Sequence, residues 1–235
     1  PVIRRYPSMI VRSVTEYQAL GRTVELADGR ATSTRLITAR DGIGFSLAFV
    51  TLEEGLIFDL WYKHHWETNV MLTGSARLSD LGRGKSWDLD QDAVYLVGPT
   101  DRHRLEAHMP TEVLSAFCPA VNGDEVHDAD GSYPPTGPTP SRQKPMMVRN
   151  RRGASVTTDD GVGLTVVVTE MTGAERFPGS AAPSAHYLSS GSAVVSGSES
   201  RDVVSAQSVV LVEAGEEVLF DVDEPSRVVT FVADQ

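Results

Sequence analysis

Residues 55–74, GLIFDLWYKHHWETNVMLTG, gather His64, His65 and Glu67 between and beside Trp61 and Trp66. Imidazole nitrogens and carboxylate oxygens ligate divalent metals, and they also serve as general acids and bases. The apolar residues around them read as β-strand, so strand alternation sorts the side chains onto two faces. Trp61, Lys63, His65, Glu67 and Asn69 share one face, and Tyr62, His64, Trp66 and Thr68 share the other. If Glu67 points into a cavity, His65 points there too.

The elements that would hold these groups are β-rich. Short apolar or alternating runs recur at 44–50, 57–62, 69–72, 93–97 and 113–117, separated by Gly, Asp and Pro turns. This rhythm predicts a sandwich or barrel. One short helix is expected over 14–20. Residues 131–153 differ from both flanks: five prolines exclude a regular element, and Arg142, Lys144, Arg149, Arg151 and Arg152 follow closely. They read as an extended, solvated connector. Strand rhythm resumes at 164–169, 187–195, 208–212, 218–222 and 228–232, and it echoes the first half. VMLTGSARLSD (70–80) resembles YLSSGSAVVSG (187–197), and DAVYLVGP (92–99) resembles QSVVLVEAG (207–215). An internal repeat of two β-barrel domains is therefore expected, over 1–135 and 154–235, with a Pro-rich basic linker at 136–153.

Composition sets the bounds. Of 235 residues, 40% are hydrophobic and 23% charged, ordinary for a soluble globular chain. A net charge of −11 argues against nucleic acid, whose phosphates need a basic face. No apolar run approaches the roughly 18 residues of a membrane span, and residues 1–10 lack a signal-peptide core. Cys118 is the only cysteine, so an intrachain disulfide is excluded and a reducing compartment is favoured. A cytoplasmic protein is expected.

The spacing around Glu67 resembles the first motif of cupin barrels: Gly55, five residues, a three-residue histidine position, three residues, Glu67, six residues, Gly74. Trp61 and Lys63 stand where cupins place two histidines. The second motif survives in degenerate form from Asp92 through Gly98 and Pro99 to His103. Glu67 and His103 are thus two ligand positions, and an open catalytic site usually has three. His65, by strand parity, and Tyr95, on the strand entering the second motif, are both candidates for the third.

Residues 9–133 further resemble the ectoine synthase family of cupin enzymes. The matching segments are MIVRS (9–13), STRLITARDGIGFS (33–46), WYKHHWE (61–67), YLVGPTDRHRLEA (95–107) and GDEVHDADGSYP (123–134). The last is the most specific, because a generic cupin has no need of it. The match at 9–13 suggests that residues 1–8 are a short leader. The resemblance implies an all-β bicupin, that is, two jelly-roll barrels of the double-stranded β-helix type. It also implies a metal site of Glu67, Tyr95 and His103, and a substrate pocket that includes Ser33, Val50, Tyr62, Ser115 and Phe117. Glu125 and His127 would be the acid/base groups. The ligand set suits Fe(II), and Mn(II) or Zn(II) less specifically. The implied reaction is cyclodehydration of N-γ-acetyl-2,4-diaminobutyrate, a small amino acid derivative, to a cyclic amidine.

Departures from the family pattern are equally legible. Ala31-Thr32-Ser33 replaces a Trp-x-Ser, Ala48-Phe49-Val50 replaces a segment ending in Thr, and Ser115-Ala116-Phe117 replaces Cys-x-Phe. They predict altered substrate choice, on an N-acylated diamino acid. Family members usually end near GSYP, so the C-terminal third lies outside the resemblance. Aligning the repeats puts Ser184, Val210 and Val218 opposite Glu67, Tyr95 and His103, which predicts a degenerate, metal-free second cupin with a lone His186. That half is expected to replace a dimer partner, with a homodimer as the other assembly. Two further function classes stay open: an Fe(II)-dependent cupin oxygenase, and a non-catalytic bicupin that binds a small molecule.

Overall fold

The computed structural model describes residues 9–142, 144–150, 153 and 155–234. The proposed leader, 1–8, and Arg151 and Arg152 of the basic segment lie outside the described residues.

The chain forms two β-barrels, each made of a large and a small sheet. In the first, the large sheet runs in the order Met147–Arg149, Val94–Val97, Trp66–Thr73, Thr111–Cys118, Ser46–Leu52, Ala31–Ile37 and Thr23–Leu26. The small one runs Ile57–Leu60, His103–Ala107, Ala76–Asp80 and Lys85–Leu89. In the second barrel the large sheet is Met9–Ser13, Ser208–Val212, Ser184–Ser190, Ser226–Ala233, Leu164–Met171 and Ser155–Val156. Its small sheet is Glu175–Phe177, Val218–Asp221, Ser192–Ser196 and Arg201–Ser205. The expected all-β, two-barrel architecture is observed.

The repeat is physical as well as textual. The sequence-matched turns end at Gly74 and Gly191, both left-handed, with φ of 85° and 82°. A Cβ at either would meet a hydroxyl, Thr111 Oγ1 at 2.4 Å or Ser226 Oγ at 2.0 Å. Only glycine satisfies both the dihedral and the close approach.

Alternation along the large-sheet strands serves two cores. Met71, Tyr95, Val97, Val113 and Phe117 fill the first barrel. Their neighbours Val70, Val94, Leu96, Leu114 and Ala116 face the other way and join residues of the second barrel, among them Tyr187, Val209, Val229 and Phe231. Phe45 meets Phe231 with ring centroids 6.1 Å apart, and Phe49 stacks on Tyr187 at 6.4 Å. Strands buried on both faces read as continuous apolar runs, which explains VYLV and VVLV.

Two strands cross the expected domain boundaries. Met9–Ser13 pairs antiparallel with Ser208–Val212 of the second barrel, and Met147–Arg149 pairs with Val94–Val97 of the first. Ser13 then caps the one α-helix among the described residues, Val14–Ala19: its hydroxyl accepts from the Glu16 N–H, and Glu16 reaches back to the Ser13 N–H. The segment read as a solvated connector is instead tied down. The Trp66 indole donates to the Pro140 carbonyl at 2.9 Å, the Thr139 hydroxyl to the His64 carbonyl at 2.5 Å, and Arg142 is buried beside Asp160. The prolines, all at or before 145, interrupt regular structure only up to that point: they prevent neither packing nor the strand Met147–Arg149 that follows them, contrary to the expectation for 131–153.

Candidate active site

The run at 55–74 is two strands, Ile57–Leu60 and Trp66–Thr73, not one. Residues 61–65 form a turn between them. Alternation therefore breaks there, and the two-face assignment fails on the N-terminal side of Trp66. Tyr62 enters the same cavity as Glu67 despite its opposite parity. His65 does not line that cavity; it is buried against the Thr136 hydroxyl, with Nε2 2.9 Å away. His64 contributes its carbonyl to Thr139.

Beyond Trp66 the register is regular and stacks the lumen in layers. Glu67 opposes Phe117 and Val97; Asn69 opposes Ser115 and Tyr95. Ser115 opposes Ala48, which opposes Arg35. Met71 opposes Val113, then Val50, then Ser33. Directly opposed residues share a face, so sequence-distant residues converge on one cavity. Ser33, Val50, Tyr62, Glu67, Tyr95, Ser115, Phe117 and His127 all line it.

His103 stands on the small sheet opposite Leu60 and Asp80. Its ring centroid is 6.3 Å from that of Tyr62. Its Nδ1 lies 3.0 Å from the Asp101 carbonyl and donates to it, leaving Nε2 with the free lone pair. Burial holds this ring neutral by lowering its pKa. The turn leading to it is fixed from several sides. Asp101 accepts from the Gly98 N–H at 3.1 Å and from Arg83 Nη1 at 3.0 Å, and Arg83 also pairs with buried Asp80 at 2.8 Å. Gly98 lies against the Trp66 ring, where a Cβ would come within 2.3 Å. Trp66 and Gly98 thereby pack the strand that carries Glu67 against the turn that leads to His103.

Electrostatics in the lumen are unsatisfied. Burial pushes the Glu67 carboxyl up to about 7, with Asn69, Ser115 and Arg35 pulling the other way. Burial, then the charge of Glu67, raises the Tyr95 phenol well above its ordinary value. The Asn69 Nδ2, Ser33 Oγ and Arg35 Nε atoms are buried without a hydrogen-bond partner among the described residues. A cation beside Glu67 would offset its desolvation and favour deprotonated oxygen ligands. Two oxygens and one imidazole, the latter oriented by a backbone carbonyl through its other nitrogen, form a donor set that fits Fe(II), Mn(II) or Zn(II).

His127 and Glu125 part company. The His127 Nε2 is 3.2 Å from the Tyr62 hydroxyl, and the ring stacks on Tyr133 at 4.4 Å and 14°. Burial lowers its pKa to about 4, so the ring is neutral. Glu125 is off the cavity wall. Its two oxygens accept the Asn122 and Gly123 N–H groups at 2.5 and 2.7 Å, tying the loop that carries His127.

Three lining residues with polar groups escaped the sequence reading as site groups, Arg35, Asn69 and Tyr133, as did Phe58 and the aliphatic walls other than Val50. Arg35 Nη2 donates to the Tyr133 hydroxyl at 3.0 Å across 98 residues of sequence. Among the described residues Arg35 has no carboxylate within salt-bridge distance, although it is 3% exposed. Asn69 shared the Glu67 face, and Arg35 and Tyr133 lay inside matched segments, but nothing local marked them as facing one cavity.

In the second barrel the same register places Val210 opposite His186, as Tyr95 lies opposite Asn69. His186 sits between two hydroxyls, Ser184 Oγ at 2.9 Å and Thr230 Oγ1 at 3.0 Å. Ser184, Val210 and Val218 occupy the positions corresponding to the first barrel's Glu67, Tyr95 and His103.

Comparison with known proteins agrees with this layout. The chain superposes on a variant of oxalate decarboxylase from Bacillus subtilis with TM-score 0.69 and 15% identity, covering 98% of this chain and 78% of that one. It superposes on protein YlbA from E. coli with TM-score 0.69 and 12% identity, over 97% and 92% of the two chains. These likenesses show the fold. L-ectoine synthase of Rhodococcus erythropolis is 36% identical over 126 residues, 54% of this chain and 96% of that protein. L-ectoine synthase of Halomonas elongata is 34% identical over 138 residues, 59% of this chain and all of that protein. A family model described as ectoine synthase matches residues 9–137, the stretch that builds the cavity, and the chain belongs to that family.

Proposed function

We propose that this chain is a metal-dependent cyclodehydratase of the ectoine synthase type, a hydro-lyase acting on an N-acylated diamino acid. The observation that carries the reading is a cavity lined by Glu67, Tyr95, Tyr62, His127 and a buried Arg35 that has no carboxylate partner among the described residues. Glu67, Tyr95 and His103 would hold the metal, with Fe(II) favoured and Mn(II) or Zn(II) compatible. A bound divalent ion would polarise the acyl oxygen as a Lewis acid.

The chain's own residues supply the rest. A buried guanidinium without a carboxylate partner is a ready anchor for the substrate carboxylate. Tyr133, hydrogen-bonded to Arg35 and stacked on His127, fixes both groups. The amine must be neutral to attack, and a neutral imidazole accepts its proton. Burial, together with the charge of Glu67, keeps the Tyr62 phenol protonated, so its O–H donates to the His127 Nε2; the amine proton then reaches that nitrogen through the Tyr62 oxygen, which takes it up as it passes its own proton on, and the same path run backwards delivers a proton to the departing oxygen. Phe117 and Tyr62, in edge contact at 5.0 Å, wall the cavity from water and hold the substrate curled for ring closure.

The test is direct. The full chain is loaded with Fe(II) under anaerobic conditions, given N-γ-acetyl-2,4-diaminobutyrate, and the product is examined by mass spectrometry. The expected result is a cyclic product lighter by one water, with no oxygen consumption when air is admitted. Iron bound without any dehydration product would overturn the reading. Oxygen uptake would favour a cupin oxygenase.

The second barrel, we infer, takes the place of a partner subunit. The shared core between the large sheets supports this. Light scattering should give the mass of a single chain.

A further inference from the structure

The three residues before Glu67 are held by one short stretch of the linker. The His64 carbonyl accepts the Thr139 hydroxyl at 2.5 Å, His65 Nε2 lies 2.9 Å from Thr136 Oγ1, and the Trp66 indole donates to the Pro140 carbonyl at 2.9 Å. The Arg142 guanidinium then lies over the Trp66 ring, 5.6 Å from its centroid. That arm ends on the second barrel. Arg142 Nη1 is 3.7 Å from the Asp160 carboxylate and donates to the Asp160 carbonyl. The same carboxylate takes a two-pronged contact from Arg149, at 3.1 and 3.2 Å. Arg149 closes the strand Met147–Arg149, in which Val148 stands opposite Tyr95. Burial lowers the Arg142 pKa, and the charges of Asp160 and then Asp101, whose carbonyl orients His103, oppose that. Through two arginines, one carboxylate thus reaches the residue before Glu67 and the strand beside Tyr95, and Asp101 lies within the field of the first arginine.

We propose that Asp160 of the second barrel is a positioning residue for the metal site of the first, acting through Arg142 on Trp66 and through Arg149 on the strand beside Tyr95. The proposal rests on Glu67, Tyr95 and His103 being the metal ligands, and it gives the second barrel a part in what the first one does. The side chains of Arg142 and Asp160 are 5% and 9% exposed. A buried ion pair adds little stability over apolar groups of the same volume; what this one fixes is direction. The Asp160 carboxylate is itself held by its own turn, where it accepts the Thr157 N–H at 3.0 Å. The guanidinium is planar, so its seat on Asp160 sets its angle over the indole. The indole packs against Gly98, and the Gly98 N–H donates to Asp101. A turn of the Trp66 ring would therefore shift Glu67 and the turn that orients His103 together.

The test uses the full chain, freed of metal and titrated with Fe(II) under anaerobic conditions, with urea unfolding of the metal-free protein alongside. An ion pair that only joined the barrels would move the urea midpoint and not the affinity of the folded chain. Asp160→Asn removes the charge and keeps an acceptor for the Thr157 N–H. It should weaken Fe(II) binding about 10-fold, the scale of a lost outer partner, and Asp160→Glu should recover part of that. Arg142→Met should weaken binding comparably, and the double variant should lose less than the product of the two single losses. Thr139→Val, which takes one contact from the same clasp and leaves the ion pair in place, should give a smaller loss at parental stability. If Asp160→Asn does not fold, Arg142→Met and Thr139→Val decide in the same way. Parental Fe(II) affinity in these variants, with only the urea midpoint lowered, would overturn the proposal and leave the ligand assignment standing. Losses that multiply in full would overturn the route through Arg142. No Fe(II) binding by the parent chain would overturn the ligand assignment and the proposal with it.

Discussion

The Nδ1 of His103 donates to the carbonyl of Asp101, two residues away, at 3.0 Å. That single bond fixes the ring's tautomer and leaves the Nε2 lone pair available, the usual arrangement behind a ligating imidazole. Asp101 in turn depends on Arg83, which bridges it to Asp80, both carboxylates being almost fully buried. Arg83→Met leaves two buried carboxylates without their cation. Removing such an outer partner costs roughly 10- to 100-fold in metal affinity. Fe(II) titration should show that loss, and Arg83→Lys should restore part of it. Unchanged affinity in Arg83→Met would remove the residue from any positioning role.

The proposed ligands give a sharper test. Glu67→Ala, Tyr95→Phe and His103→Ala should each lower bound iron, read by elemental analysis after reconstitution, while circular dichroism stays that of the parent. Tyr95→Phe is the most informative, because it removes one oxygen and keeps the ring in the core. Full iron content in all three variants would refute the assignment.

Arg35 is expected to act on binding more than on chemistry. A hydrogen-bonded ion pair to a charged group contributes about 1.5–3 kcal/mol, so Arg35→Met should raise KM by roughly 10- to 100-fold. Tyr133→Phe deletes the hydroxyl that holds the guanidinium and should give a smaller rise. A change confined to kcat in Arg35→Met would mean that the guanidinium does not hold the substrate.

The second barrel provides a pH prediction away from the site. Burial lowers the His186 pKa to about 3, below its ordinary 6.5. The unfolded chain therefore takes up a proton near pH 6.5 that the folded chain refuses until about pH 3. Stability falls with pH through that window, by about 1.4 kcal/mol per unit at most. Urea unfolding at pH 7 and pH 4.5 should show His186→Gln losing about 2–3 kcal/mol less than the parent. Equal losses in the two proteins would show that His186 charges without unfolding.

The shared core couples the barrels. Phe231 is fully buried and meets Phe45 of the other barrel. Phe231→Ala should cost about 3–5 kcal/mol. Calorimetry should show one shifted transition, because neither large sheet keeps its outer face covered alone. Two separated transitions would mean that the barrels fold independently.

What sequence alone determined is the local grammar. Alternating runs and glycine turns gave an all-β chain, the Gly74 and Gly191 echoes gave two barrels, motif spacing gave Glu67 and His103 as ligand positions with His65 and Tyr95 both open for the third, and the resemblance to ectoine synthases implied Tyr95. Tertiary structure decided everything that depends on long-range pairing. The turn at 61–65 broke the parity that had placed His65 beside Glu67, because alternation holds only while the backbone stays extended. Met9–Ser13 joined the second barrel and Met147–Arg149, read as linker, joined the first, since a sheet edge is satisfied by whichever strand reaches it in register. Glu125 left the cavity for the N–H groups of Asn122 and Gly123, and Arg35 entered it through a contact 98 residues distant. The cavity became visible only when Ser33, Val50 and Val113 came into one layer across three strands, because register, unlike periodicity, is a property of several strands at once.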